Sequence, residues 1–124
     1  MKPKEIDLGF DFDETLLYDL NLPVEEIPIS NLLSNADILY LEKENTDDWN
    51  LSPAELIKNF NKENSHSKRV LKADANYPVC IYNFKNQWII LDGVHRFTKA
   101  LMNHDKTIKV KKIDDEILEK IKKE

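Results

Sequence analysis

Glycine occupies only two of the 124 positions, Gly9 and Gly93. In so glycine-poor a chain, each glycine marks a place where the backbone needs unusual freedom. Gly93 stands where two patterns meet. Before it, Trp88-Ile-Ile-Leu91 is a β-rich apolar run; after it, Phe97, Ala100, Leu101 and His104 recur at helical spacing. A strand must therefore break at Asp92-Gly93 and give way to a helix. His95 and Lys99, at i and i+4, share the face of that helix opposite the apolar stripe.

The flanking segments can be built outward from this corner. Tyr77-Pro-Val-Cys-Ile-Tyr82 is a second β-rich run, and the turn-rich Asn83 to Gln87 joins it to Trp88–Leu91 as a hairpin. Thr107 to Ile113 predicts another strand, and Ile117, Leu118 and Ile121 a closing amphipathic helix. Upstream, Val24-Glu-Glu-Ile-Pro-Ile29 predicts a short strand that Pro28 confines to a sheet edge. Ser52-Pro-Ala-Glu55 reads as a helix start, with Ser52 as N-cap, Pro53 at the first helical position and Glu55 closing a capping box. Asn61 to Ser67 reads as polar loop, and Arg69 to Asp74 as its continuation into the hairpin. Residues 1–23 form an acidic arm ahead of a domain over 24–124. Hairpins and helices are interspersed, so the fold class is α+β: one domain with a small mixed sheet and packed helices.

Charge limits the possible partners. The net charge of −5 argues against general affinity for nucleic acid, which calls for a basic stripe. The late lysines (Lys106, Lys109, Lys111 and Lys112) alternate with Ile108, Val110 and Ile113, and read as the solvated face of an edge strand. A single cysteine, Cys80, allows no disulfide framework and reads as a buried, inert thiol. No segment is long and apolar enough to span a membrane, and a cytoplasmic, reducing location is expected.

The corner has the chemistry of an anion site. A helix start offers unpaired N–H groups and partial positive charge, and a glycine before it lets a ligand approach the backbone. In Gly93-Val94-His95-Arg96, the arginine supplies a forked donor and the histidine one or two further hydrogen bonds, with Lys99 a turn later as a point charge. Asp92 has three possible uses: capping the helix, orienting His95 or holding a divalent cation. His66, Lys68 and Arg69 read as solvated loop, with Arg69 or His66 as the alternative completion of the anion site. Trp49 and Trp88 read as packing residues, and His66, His95 and His104 have no metal spacing.

From Val24 to Ile113, about three quarters of the chain, the sequence resembles the ParB/sulfiredoxin-like superfamily. The pieces that carry the resemblance are Val24–Ile29, Ser52–Phe60, Tyr77–Leu91, the corner Gly93-Val-His-Arg96 and Thr107–Ile113. It implies that Gly93, His95 and Arg96 hold the phosphates of a nucleotide. Val94 stands where sulfiredoxins carry the reactive cysteine, which excludes sulfinic-acid repair by that chemistry. No helix-turn-helix domain follows the last strand in this sequence, so sequence-specific DNA reading is not expected. The Asp92-Gly-Val-His-Arg96 corner is most similar to that of the free-serine-kinase-like branch, which adds an upstream catalytic glutamate. Glu55 is the candidate, alongside its simpler role in a capping box.

The resemblance implies ATP, ADP or CTP with Mg²⁺ as ligand, and either nucleotide hydrolysis or phosphoryl transfer to a small molecule. Asp92, His95 and Glu55 are then the catalytic candidates, and Asp92 the metal ligand. The alternative is a non-catalytic module that binds a phosphorylated, protein or nucleic-acid partner through the same corner. Asp11-Phe-Asp-Glu-Thr15 imitates an aspartate-nucleophile phosphatase signature, but Lys2 to Gly9 is a poor version of the buried strand that chemistry requires.

Overall fold

The computed structural model describes residues 2–74 and 76–123. The hairpin forms as its sequence predicts: β2 (Val79–Phe84) pairs antiparallel with β3 (Gln87–Asp92), from Phe84 opposite Gln87 to Cys80 opposite Asp92. Lys85 and Asn86, at φ of 53° and 65°, form the two-residue turn whose twist suits such a hairpin. β4 (Thr107–Ile113) runs parallel to β2, and β1 (Glu25–Pro28) pairs antiparallel with β4. The result is one α+β domain around a four-stranded mixed sheet of order β1-β4-β2-β3. β1, with its Pro28, lies at an edge as expected. β4 does not: both sides of its ladder are taken, and the lysine-bearing strand is internal.

Alternation divides the apolar side chains between two faces. Val79, Ile81, Ile90, Ile108 and Val110 pack under Phe97 and Ala100 of α4 (Val94–Met102), together with Leu32 from a 3₁₀ segment over Ile29–Asp37. Cys80, Ile89, Leu91 and Ile113 pack on the other face against Leu118 and Ile121 of α5 (Asp115–Ile121) and against Ile6 and Leu17 of the arm. The arm is therefore part of the core: Leu17, on the single turn α1 (Thr15–Tyr18), is only 1% exposed. It is fastened to the end of α5 by backbone bonds from Asp13 N to Ile121 O and from Lys123 N to Asp11 O. Among the described residues no strand precedes Asp11–Thr15, and the Asp13 carboxylate closes a local turn by accepting from Thr15.

Two features could not be read along the chain. Residues 65–72, expected as loop and lead-in, form helix α3 (Ser65–Lys72), N-capped by Asn64, whose Oδ1 accepts from His66 N at 2.9 Å. Its apolar content is too low to signal a helix, because the face it buries is His66, Ser67 and Val70. The second feature is the β3 edge. The buried Asn35 donates to Trp88 O at 2.7 Å, and the Tyr40 hydroxyl accepts from Ile90 N at 2.9 Å while donating to Asn35. Side chains thus satisfy backbone groups that a free edge would expose.

Candidate functional site

A β-bulge aims the site. Cys80 pairs with Asp92 but Ile81 pairs with Ile90, which leaves Leu91 as the extra residue on β3. Without it, Asp92 would point to the α4 side of the sheet. With it, Asp92 shares the Cys80 side, where a cavity of about 570 Å³ opens between α3, α4 and the arm. The next residue, Gly93, has φ +101°, and its missing side chain is a steric need as well as a conformational one. A Cβ there would sit 3.2 Å from Val79 Cγ2 and 3.3 Å from both Val79 Cα and Arg96 Cζ. Gly93→Ala is expected to cost about 1–3 kcal/mol in urea unfolding, from the left-handed backbone and this crowding. A neutral result would show that the corner relaxes freely.

Gly93 begins α4 with no side-chain cap, so the first N–H groups of the helix are left to other partners. Arg96 folds back over that start. Its Nη1 donates to Pro78 O at 2.7 Å and its Nη2 to Asp92 Oδ2 at 3.0 Å. Both side chains are largely buried, at 20% and 13% exposure. Asp92 thereby acts as the brace of Arg96, fixing one edge of its fork and leaving its other N–H donors. Its charge reaches further: it is the main cause raising the Tyr18 hydroxyl, and it adds to burial in raising the Cys80 thiol and the Glu14 carboxyl.

Arg69 and Lys72 come to the same cavity from the last turn of α3, and Lys111 comes from β4. With Arg96 they make four cations, against Asp74 and Asp92 as the acidic lining. This reverses the balance of a chain whose net charge is −5. Sequence reading reached Arg69 only as an alternative and missed Lys72 and Lys111. Their convergence depends on α3 being a helix and on β4 lying beside β2.

His95 lines the cavity, but its ring also stacks on that of the buried His66, with centroids 5.2 Å apart. His66 Nδ1 and His95 Nε2 are 2.9 Å apart. So the α4 face opposite the apolar stripe packs against α3. Burial, followed by the nearby His66, Arg69 and Arg96, pushes His95 down to about 4. An unfolded histidine titrates near ~6.5, so between these values the unfolded chain holds the extra proton. Stability is then complete above pH ~6.5 and falls by about 3 kcal/mol as pH drops to ~4. Urea unfolding at pH 7 and pH 4.5 checks this, with His95→Gln expected to flatten the dependence; parallel curves would refute it.

Three expected site residues are placed elsewhere. Lys99 Nζ donates to Leu71 O at 3.0 Å and Ala73 O at 2.8 Å, so its charge closes the C-terminus of α3 instead of reaching the corner. Glu55 does not line the cavity; its N–H is capped by Ser52 on α2 (Pro53–Lys58), and its carboxylate lies 3.6 Å from Lys43. Among the described residues the Ser52 half of the capping box forms, while the Glu55 carboxylate faces Lys43. The Val94 side chain packs toward the Leu41–Leu51–Leu56–Val70 cluster and the α4-side core, so only its backbone belongs to the corner.

Among the described residues, no group of three or more His, Cys, Asp or Glu side chains is arranged to hold a metal ion. Asp92 has one oxygen committed to Arg96. Such a donor set suits a Mg²⁺ ion that brings most of its ligands as phosphate and water oxygens, and does not suit a resident metal. No helix among the described residues is long and apolar enough to cross a membrane. Compared with protein-family models, curated proteins and solved structures, the chain matches none.

Proposed function

We propose that the chain is a nucleotide-binding protein of the ParB/sulfiredoxin-like kind that works on phosphoryl groups in this cavity, by hydrolysis or by transfer to a small acceptor. The observation that carries the reading is that Arg69, Lys72, Arg96 and Lys111, the last also donating to Leu20 O at 3.2 Å, line one cavity with Gly93 at the uncapped start of α4, in an otherwise acidic chain. Phosphoryl chemistry depends mainly on positioning and charge neutralisation, and a braced arginine beside free helix N–H groups supplies both. Any Mg²⁺ would arrive with the nucleotide, be held by Asp92, and neutralise phosphate charge.

Two tyrosines favour a nucleotide over a bare phosphate. Tyr18 and Tyr77 line the same cavity and remain 64% and 65% exposed, leaving aromatic faces for a base beside the cations. The volume is also in the range of small-molecule sites, ~300–1,000 Å³.

Calorimetry with ATP, ADP and CTP, with and without Mg²⁺, tests it. Binding is expected, and Tyr18→Ser and Tyr77→Ser are each expected to weaken the nucleotide about tenfold while sparing pyrophosphate. Absence of binding by all three nucleotides overturns the proposal. Binding without turnover would favour a non-catalytic module that grips its partner through the same corner.

A further inference from the structure

The cation cluster does not explain why a histidine should be buried behind the cavity. His66 is 4% exposed, sits in the first turn of α3, and has an Nε2 with no hydrogen-bond partner among the described residues. A Glu42 carboxylate oxygen lies 3.2 Å from that nitrogen without forming an aligned bond, and Glu42 itself is half exposed. On the ring's other side, Nδ1 meets His95 Nε2. The three groups form a line from the surface through the core to the cavity wall.

Their order fixes the protons. A carboxylate beside His66 Nε2 favours a proton on that nitrogen and repels a lone pair. A neutral His66 then has Nδ1 as an acceptor, and His95 Nε2 must be the donor. In a neutral His95 the remaining nitrogen, Nδ1, carries the lone pair. The charges facing the pair are Arg69 from α3, Arg96 from α4, and Glu42 and Glu44, the latter accepting from Ser65 N. The two cations oppose a second positive charge on His95 and so favour its neutral form.

We propose that Glu42, His66 and His95 form a chain that holds His95 as the Nε2–H tautomer and makes its Nδ1 the proton acceptor for a hydroxyl bound in the phosphate cavity. The proposal rests on the nucleotide reading above. In transfer from a nucleoside triphosphate, the hydroxyl proton passes to Nδ1 as the new O–P bond forms. The bond from the γ-phosphorus to its bridging oxygen breaks, and the nucleoside diphosphate leaves with that electron pair. The proton returns to solvent when the product departs. His95 is the catalytic residue of this step, and His66 and Glu42 are positioning residues acting through it.

Nitrogen-15 NMR of histidine-labelled full-length protein at pH 7.5 reads the tautomers directly. His95 is expected to be protonated at Nε2, with less than a tenth in the other form. His66→Leu should mix the two forms, whereas His66→Asn, which keeps an acceptor near the Nδ1 position, should restore Nε2–H. Glu42→Lys, at the exposed end, places a donor-only group beside His66 Nε2. It is expected to reverse the chain and move the His95 proton to Nδ1, without depending on a core substitution. A wild-type His95 protonated at Nδ1, or a tautomer indifferent to Glu42→Lys and His66→Leu alike, overturns the proposal. ATP calorimetry on the same sample keeps the two readings apart: the wrong tautomer with ATP bound refutes the chain, and the right tautomer without ATP binding refutes the nucleotide reading.

Discussion

Arg96→Ala is expected to destabilise the fold by about 2–4 kcal/mol and to weaken phosphate-bearing ligands at least tenfold. The stability loss comes mostly from what the substitution leaves behind. The Asp92 carboxylate, 13% exposed, loses its cation and keeps Cys80 and Leu17 as neighbours in the cavity wall. The Pro78 carbonyl loses its donor at the same time. Breaking a buried pair from one side costs more than the pair contributes, because the surviving charge is uncompensated. Asp92→Asn in the Arg96→Ala background should therefore restore part of the stability without restoring ligand affinity. A double-mutant cycle by urea unfolding, with ADP calorimetry on each variant, separates these terms. A cost under ~1 kcal/mol together with unchanged ADP affinity would show that Arg96 neither braces the corner nor grips an anion.

Phe97→Ala is expected to be the most damaging single substitution, at about 3–5 kcal/mol. Phe97 is completely buried, one turn into α4, among Val79, Ile81, Ile90 and Val110. It joins the helix that carries the corner to the strands that supply its other wall. The cavity left by its removal cannot be filled by neighbours held in the sheet ladder. Ligand affinity should fall even in the folded fraction, because α4 would lose the contact that sets Arg96 over Pro78. Unfolding curves and calorimetry at 10 °C measure both effects. Full stability with a displaced helix would mean that the α4–sheet contact is not what holds the corner.

How much of this the chain declares depends on whether each cause is local. The hairpin, the break at Gly93, the β4 span, the closing helix and the Ser52 cap were all legible, since each rests on a few adjacent residues with a distinct period or capping chemistry. Helix α3 was not, because Asn64 caps a segment whose buried face is polar and becomes meaningful only when α4 packs on it. Lys99 showed the same limit. Its spacing from His95 was read correctly, but the partner on that face was the end of a helix unseen in the sequence.

The corner itself divides the same way. The sequence by itself determined that Asp92-Gly-Val-His-Arg96 turns a strand into a helix, because only glycine accepts that backbone and the periods on either side differ. Tertiary structure decided what the corner meets. The bulge at Leu91 set the face Asp92 points to, strand order brought Lys111 alongside, and α3 delivered Arg69, Lys72 and the buried His66. Each of these depends on pairing between distant segments, whose register is chosen by the energy of the whole core and leaves no mark in the neighbouring residues.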